Sequence, residues 1–310
     1  MNHPSRSHKS QRHKWLVPFV CLLAGGALTG LSTNLAKYAS DIDLTALSFL
    51  FWSITGAAVI LSVVAAVRQS LPPLSIRGIE YYFVTAFVSV AAANLLLFSA
   101  IPHVGAGFVA LILSLPPLLT YLGALLLRME QFHPIRALGV LAALVGAGIL
   151  AVRKFSAPDV SVFWILMALG GPVLLAIGNI YRTLRWPDNA SSDALAPGML
   201  IATVIMLGSF SAVTPFSVAI PQESWLPVVL IAVQAGVFAG QFLLLFLLQK
   251  TGGPVLLSLL GAVGAVVGVP IAVFLQGERP PEGLFFGALL IAVGVALVTW
   301  GGTKIAKEES

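Results

Sequence analysis

The chain alternates between long apolar stretches and short clusters of charged or turn-forming residues. Each stretch runs for roughly 18–24 residues almost without charge, long enough to cross ~30 Å of hydrocarbon as a helix that rises about 1.5 Å per residue. We therefore predict ten transmembrane helices. Their spans are 15–37, 44–67, 79–101, 104–127, 135–152, 161–184, 195–214, 225–248, 254–276 and 283–300.

The residues between the spans are typical of turns, as at Pro72–Pro73, Gly252–Pro254 and Pro280–Glu282. In lipid, only helices and closed barrels satisfy every backbone polar group. A barrel would alternate apolar and polar positions along ~10-residue strands, whereas these spans are apolar on all sides. The pattern predicts an all-α integral membrane fold.

The composition agrees with this prediction. Hydrophobic residues make up 58% of the 310 residues and charged residues 9%, whereas soluble domains contain about 25% charged residues. So little polar surface cannot cover a water-soluble globule. The single cysteine, Cys21, excludes an internal disulfide, and no Cys/His spacing is typical of a metal site. We expect a lipid bilayer around the chain, and no nucleic acid, metal or other cofactor.

The positive charges predict the orientation in the membrane. Thirteen of the 17 Lys and Arg residues fall on one side when the N-terminus is placed in the cytoplasm and the loops are counted in turn. Because positive loops face the cytoplasm, both termini are predicted there, in a cytoplasmic inner membrane.

The apolar run from Trp15 exceeds the ~7–15 residues of a signal-peptide core, so we interpret it as a retained helix. The predicted units are a cytoplasmic basic tail at 1–14, five-helix units at 15–152 and 161–300, and a cytoplasmic tail at 301–310.

The two halves of the chain resemble each other at a nearly constant offset. Matches of Leu and Gly arise readily by chance in a membrane protein, whereas matches of polar residues are rarer. Because each half has five helices, the second enters the membrane from the opposite side, which predicts two inverted repeats with a solute site near the midplane. At an offset of 148, Leu95–Phe98 recurs as Leu243–Phe246, Glu130 as Glu278, Gly139 as Gly287 and Gly146 as Gly294; at 145, Asn34–Lys37 recurs as Asn179–Arg182.

The ends of the fourth and ninth spans carry a motif that each half repeats. The segments 126–130 and 275–279 read Leu-Leu-Arg-Met-Glu and Leu-Gln-Gly-Glu-Arg, and two glycines seven residues apart follow each. They resemble the EamA-type members of the drug/metabolite transporter superfamily, whose pattern is a Gly-Glu pair, a proline-containing turn and a glycine-rich helix. Met129 departs from it by replacing the glycine. The resemblance covers about 15–300 and implies a bacterial inner-membrane carrier or exporter with a cavity between its halves.

Uncharged polar residues within the spans are the better candidates for a solute site, because no charge lies near the middle of any span. An amide offers both donors and acceptors, which suits the polar groups of a solute in a water-accessible cavity. The alternative for each residue is a hydrogen bond between helices, worth ~0.6–2 kcal/mol. The cavity candidates are Asn34, Asn94, Tyr121, Asn179, Gln234 and Gln241.

Two glutamates and three prolines are candidates for structure or gating. Glu130 and Glu278 lie at helix ends, where a structural role, bonding loop donors or a neighbouring helix end, is favoured over gating. Pro116, Pro117 and Pro270 interrupt backbone hydrogen bonds within spans. They predict cavity-side kinks or hinges, or plain packing kinks.

Two basic residues lie near the ends of matching spans. Lys37 and Arg182 either bind an anionic solute or, as terminal Lys and Arg more often do, extend to the lipid headgroups.

Together these features predict a secondary transporter for a small solute, with export as its direction. The chain carries no Walker motif, so ATP is not its direct driver. A lipid-modifying enzyme is the weaker alternative, since it needs clustered acids, histidines or a nucleophile–base pair that the sequence does not offer. A non-transporting subunit or receptor is a third, although the short loops offer little surface for a soluble partner. The oligomeric state is not predicted.

Overall fold

The computed structural model describes residues 6–129, 131–155, 161–187, 190–213, 217–221, 224–257, 260–280 and 283–308. These residues form helices joined by short connections, without a strand among them. The all-helical fold is therefore confirmed. The helices are α1 (Arg6–Asp41), α2 (Ala46–Val67), α3 (Ile76–Ala86), α4 (Ala92–Val104), α5 (Ala106–Ile112), α6 (Pro116–Leu126), α7 (Pro134–Phe155), α8 (Val162–Leu184), α9 (Ser192–Ser211), α10 (Leu226–Leu257), α11 (Leu260–Pro270) and α12 (Leu284–Glu308).

The described chain contains seven segments long and apolar enough to cross a bilayer. They are Val17–Asp41, Ala46–Val67, Ile76–Val104, Ala106–Leu126, Val162–Leu184, Ala194–Ser211 and Leu226–Gln249. Three shorter apolar helices, Pro134–Leu150, Leu260–Leu275 and Leu284–Leu297, coincide with the fifth, ninth and tenth predicted spans. The protein is thus a multi-pass membrane protein, and the count of ten crossings stays a prediction.

Ser and Thr side chains begin several of the helices. The hydroxyl of Thr45 accepts the backbone N–H of Ser48 at 3.2 Å, and Ser75 accepts that of Gly78 at 3.0 Å. Each such cap satisfies an N–H that has no partner within the first turn, and typically stabilises a helix by about 1 kcal/mol.

The fourth predicted span is divided at its prolines. α5 ends at Ile112 and α6 begins at Pro116, so Pro116 and Pro117 occupy the first turn of a new helix. A missing N–H is harmless in a first turn, because those groups have no partner within the helix. Two π-helical segments, Phe87–Ala91 between α3 and α4 and Ile271–Leu275 directly after Pro270, add further irregularities.

The predicted break at Gly252–Pro254 is wrong. α10 continues through these residues to Leu257, so the eighth span has no loop where the sequence suggested one. Gly and Pro are more frequent in membrane helices than in soluble ones. A Gly-Gly-Pro segment is therefore a weaker sign of a turn here than it would be in water.

Glycines bring the last helices of the two halves into close contact. A Cβ atom on Gly146 of α7 would lie 2.7 Å from the carbonyl oxygen of Gly287 in α12, and one on Gly294 would lie 2.4 Å from that of Gly139. Only residues without a side chain allow backbones to approach so closely. α7 accordingly packs mainly against α12.

α1 packs mainly against α10 and α11. A Cβ atom on Gly30 would lie only 2.4 Å from the carbonyl oxygen of Gly264 in α11. A continuous apolar core, with Phe49, Ile54 and Phe238 almost wholly buried, surrounds this contact. Close packing at Gly30 places the polar residues of α1 beside those of α10 and α11.

Candidate functional site

A cavity of about 120 Å³ lies between α1, α4, α8 and α10. The link between α5 and α6 and the start of α11 close it on the remaining side. Much of its wall is apolar, with Phe98, Phe238 and Phe242 as its aromatic residues. Its polar and charged lining residues are Thr29, Ser32, Thr33, Ser89, Asn94, Asn179, Arg182 and Gln241.

Five of the residues predicted from the sequence meet in this cavity: Asn94, Asn179, Gln241, Pro116 and Pro117. They come from four separate helices and from both halves of the chain. The structure therefore brings together predicted residues that lie far apart in the sequence.

The side-chain amides of the cavity donate hydrogen bonds to neighbouring groups, and one of them has an acceptor that is not used. Gln241 donates from Nε2 to the hydroxyl of Thr29 at 3.1 Å, and its Oε1 atom is buried without a hydrogen-bond partner. Asn94 donates to the carbonyl oxygen of Val90 in its own helix at 2.9 Å. An unsatisfied buried acceptor is costly unless a ligand or water completes it.

Asn34 and Gln234 lie outside the lining of the cavity and join helices. Asn34 is 3% exposed, and its Nδ2 donates to the carbonyl oxygen of Gly268 in α11 at 3.0 Å. Gln234 is fully buried and donates from Nε2 to the hydroxyl of Ser32 at 2.6 Å. Because Ser32 lines the cavity, Gln234 stands one contact behind the wall.

Tyr121 also lies outside the cavity lining. Its buried hydroxyl accepts the backbone N–H of His133 at 3.0 Å, and the guanidinium of Arg136 lies 5.0 Å from the centre of its ring. A cation over an aromatic face is attracted by the ring quadrupole. These contacts connect α6 to the start of α7.

Glu278 binds the beginning of a helix in the other half of the chain. Its carboxylate accepts the backbone N–H groups of Ala106 and Gly107, at 2.6 and 3.0 Å, where α5 begins. The preceding Gly105 has φ +90°, and a Cβ atom there would lie 2.8 Å from the carboxylate. A negative charge is favourable at a helix N-terminus. Glu130, the matching residue of the first half, lies outside the described residues.

A second cavity, of about 390 Å³, lies between α5, α11 and α12. Pro270 is part of its wall, together with outward-facing residues such as Val266 and Phe285. Apart from Ser114, its described lining is apolar. A groove of this kind offers no polar group that would orient a solute, so the smaller central cavity is the better candidate site.

Arg182 lies in the cavity, although the sequence favoured the lipid headgroups over an anionic solute as its partner. The side chain is 3% exposed, lies in the cavity wall and donates from Nη2 to Oδ1 of Asn179 at 2.5 Å. Lys37, at the matching position in α1, is partly exposed and forms an ion pair with Asp41. The sequence contained one sign of this position. Arg182 follows Asn179 by three residues, and residues three apart share a helix face.

These features define a class of protein, a helical multi-pass membrane protein with a small, partly polar cavity between its halves. Residues 17–152 match the EamA-like transporter family. This segment makes up 136 of the 310 residues, and the family that it matches is part of the drug/metabolite transporter superfamily. The resemblance is thereby confirmed, and the family suggests a membrane transporter.

Other comparisons bear on the fold. A search of curated proteins found no significant match. Among solved structures, 23 chains match. One of them, a crystal structure described only as that of a protein, aligns over 95% of this chain and 99% of its own, with a TM-score of 0.58 and 19% sequence identity. At that identity the likeness extends to the fold alone.

Proposed function

We propose that the protein is a secondary transporter that moves a small metabolite or drug-like solute across the cytoplasmic membrane by alternating access, with export as its direction. The observation that carries this proposal is the central cavity, where polar side chains of α1, α4, α8 and α10 meet within an apolar wall. Ligand sites commonly combine such a wall with a few polar groups. The match of residues 17–152 to the EamA-like transporter family favours transport over catalysis.

Contacts that recur between the halves support an inverted repeat. Asn34 donates to the carbonyl oxygen of Gly268 at 3.0 Å. Its equivalent Asn179 donates at 3.4 Å to the hydroxyl of Thr120, which lies 148 residues before Gly268. Each asparagine thus donates to the equivalent residue of the other half, to a backbone carbonyl oxygen in one case and to a side-chain hydroxyl in the other.

Glycine contacts follow the same rule. A Cβ atom on Gly25 would lie 3.6 Å from Leu244, and one on its equivalent Gly170 would lie 3.2 Å from Leu96. The paired glycines of α7 and α12 are reciprocal as well. Reciprocal contacts are what a twofold axis produces, and with five crossings per half that axis lies in the membrane plane.

Alternating access requires helices that bend around the solute. Three irregularities lie in helices that adjoin the cavity: the π segment Phe87–Ala91, the break before Pro116, and the π segment Ile271–Leu275 after Pro270. Such segments absorb changes of φ and ψ while the rest of each helix moves as a rigid body. In this proposal, rocking of the halves about them opens the cavity to one side at a time.

Glu278 takes a structural role in this proposal. Its hydrogen bonds join the second half to the start of α5 on the predicted outer side. The excess of Lys and Arg in the other set of loops supports cytoplasmic termini and an inner-membrane location.

Gln241→Ala is expected to reduce transport, because it removes an amide from the cavity wall, and to lower stability by about 0.6–2 kcal/mol, because it also removes the hydrogen bond to Thr29. Asn34→Ala is the matched variant: it removes the bond to Gly268 outside the cavity, so we expect it to lower stability by about 0.6–2 kcal/mol. A thermal-shift screen for stabilising solutes, followed by flux of those solutes into proteoliposomes, measures both. Normal flux in Gln241→Ala would remove it from the site.

A further inference from the structure

Arg182 has hydrogen-bonding capacity that the protein does not use. Its Nη2 atom is bonded to Asn179, whereas its buried Nε atom has no hydrogen-bond partner. A guanidinium remains charged in proteins and carries five N–H donors. The wall of the central cavity therefore contains a buried cation with an N–H donor, at Nε, that no protein group accepts within the described residues.

The charge of Arg182 is also uncompensated within the described residues. None of the carboxylates whose side chains the structure describes forms an ion pair with it. Among the described lining residues of the cavity, Arg182 is the one that carries a full charge. Buried charges are normally paired because removal from water is costly, and an ionised residue inside a membrane protein usually marks a functional site.

The two halves of the chain differ at the position four residues after this basic residue. In α1, Lys37 is neutralised by Asp41 one turn later. At the same offset of 145, Trp186 occupies the place of Asp41 in the second half. Its ring faces Tyr81 and Phe246 and supplies no carboxylate. The two halves therefore share a basic residue, and the acidic residue four positions later is present only in the first half.

We infer that Arg182 binds the carboxylate of the transported solute, and that the substrate class is a small monocarboxylic acid with an apolar body. The inference rests on the proposed transport function. A guanidinium matches a carboxylate in geometry and can bind it through two parallel hydrogen bonds. One cation balances one carboxylate, whereas a phosphate dianion would leave an excess negative charge in an apolar wall.

The rest of the wall fits the body of such an acid. Phe98, Leu175 and Phe238 provide apolar surface, and Ser89 adds a buried hydroxyl without a hydrogen-bond partner. The volume of about 120 Å³ is slightly below the ~150 Å³ of an engineered protein cavity that holds benzene. A short branched acid, which is close to benzene in size, is therefore of suitable size, whereas a single-ring acid is larger than this cavity.

Matched acids and amides test this inference directly. Isovalerate with isovaleramide, and benzoate with benzamide, differ in charge while keeping nearly the same shape. Binding to the purified full-length protein is measured by thermal shift and calorimetry. We expect at least one acid to bind at millimolar concentration or below, and its amide to bind at least tenfold more weakly.

The variant Arg182→Gln is expected to weaken binding of the acid at least about 30-fold, since loss of one partner of a buried charge pair commonly has such an effect. Arg182→Lys should restore part of it. Lys37→Gln and Arg185→Gln are the matched controls, because they remove a paired cation and an exposed one. Both should bind the acid as wild type does.

Stability separates binding from a merely structural role. If Arg182 only supported the fold, Arg182→Gln would melt at a lower temperature without ligand, whereas removal of an unpaired buried charge is expected to leave the melting temperature equal or higher. Equal binding of acids and amides, no binding of either acid, or unchanged acid binding in Arg182→Gln would overturn the inference. If acids bind but are not transported into proteoliposomes, the transport proposal fails, whereas the carboxylate site at Arg182 is supported. If neutral or cationic solutes are transported but no acid binds, the transport proposal stands and the carboxylate site at Arg182 is wrong.

Discussion

An Asn94→Trp variant is expected to lose transport while remaining folded. Asn94 lies in the wall of a cavity of only about 120 Å³, and an indole ring is far larger than the carboxamide that it replaces. The ring would occupy the space that a solute needs, so we expect flux into proteoliposomes to fall by more than about tenfold, equivalent to ~1.4 kcal/mol. Overpacking should lower stability by about 1–3 kcal/mol.

Val59→Trp provides the control for Asn94→Trp. Val59 is 59% exposed on α2 and is expected to face lipid. The same indole there should leave flux close to that of wild type. Equal flux in wild type and Asn94→Trp would show that solutes do not pass through this cavity.

Gly294→Ala is expected to destabilise the protein strongly for a one-carbon change. The new Cβ atom would lie 2.4 Å from the carbonyl oxygen of Gly139 and 2.7 Å from the Cβ of Ala143. Backbone atoms cannot turn aside as a flexible side chain can, so α7 and α12 must separate. We expect a loss of about 1–3 kcal/mol of stability, measured by thermal melting in detergent.

Gly148→Ala provides the matched control for Gly294→Ala. Gly148 lies in α7, and a Cβ atom there would meet nothing within 4 Å. Because alanine favours a helix over glycine by up to about 1 kcal/mol, this variant should melt at the wild-type temperature or slightly above it. Similar melting of the two variants would contradict close packing between α7 and α12.

The existence of the helices could be predicted because a membrane span is long and apolar, and few other structures share that pattern. Their exact ends could not. The segment Gly252–Pro254 has the residues of a turn, yet α10 passes through it. Conversely, the fourth predicted span was continuous, yet α5 ends at Ile112 and a new helix begins at Pro116. In lipid, packing decides which of these signals ends a helix.

The cavity could be predicted only in part, because a helix that is apolar on all sides does not reveal which face is inward. Asn34 and Asn179 occupy matching positions in the two halves, yet only Asn179 lines the cavity. Arg182 lies close to the end of α8, where the sequence favours a side chain that reaches the headgroups. Packing of α8 against α4 and α6 turns it inward. The partners of Glu278 lie 171 and 172 residues away, beyond any local pattern.

Labelling of a thiol in the cavity from each side of the membrane tests alternating access. The experiment needs no known substrate. Ser89 lines the cavity, and cysteine is close to serine in size, so Ser89→Cys in a Cys21→Ser background places a single thiol at the site. Leu74→Cys, in an exposed loop, and Val59→Cys, on the expected lipid face, are the controls. A small membrane-impermeant thiol reagent should label Leu74→Cys from one side only and Val59→Cys from neither. We expect Ser89→Cys to be labelled from either side, in right-side-out and inverted vesicles alike. Labelling from one side alone, or from neither, would contradict alternating access.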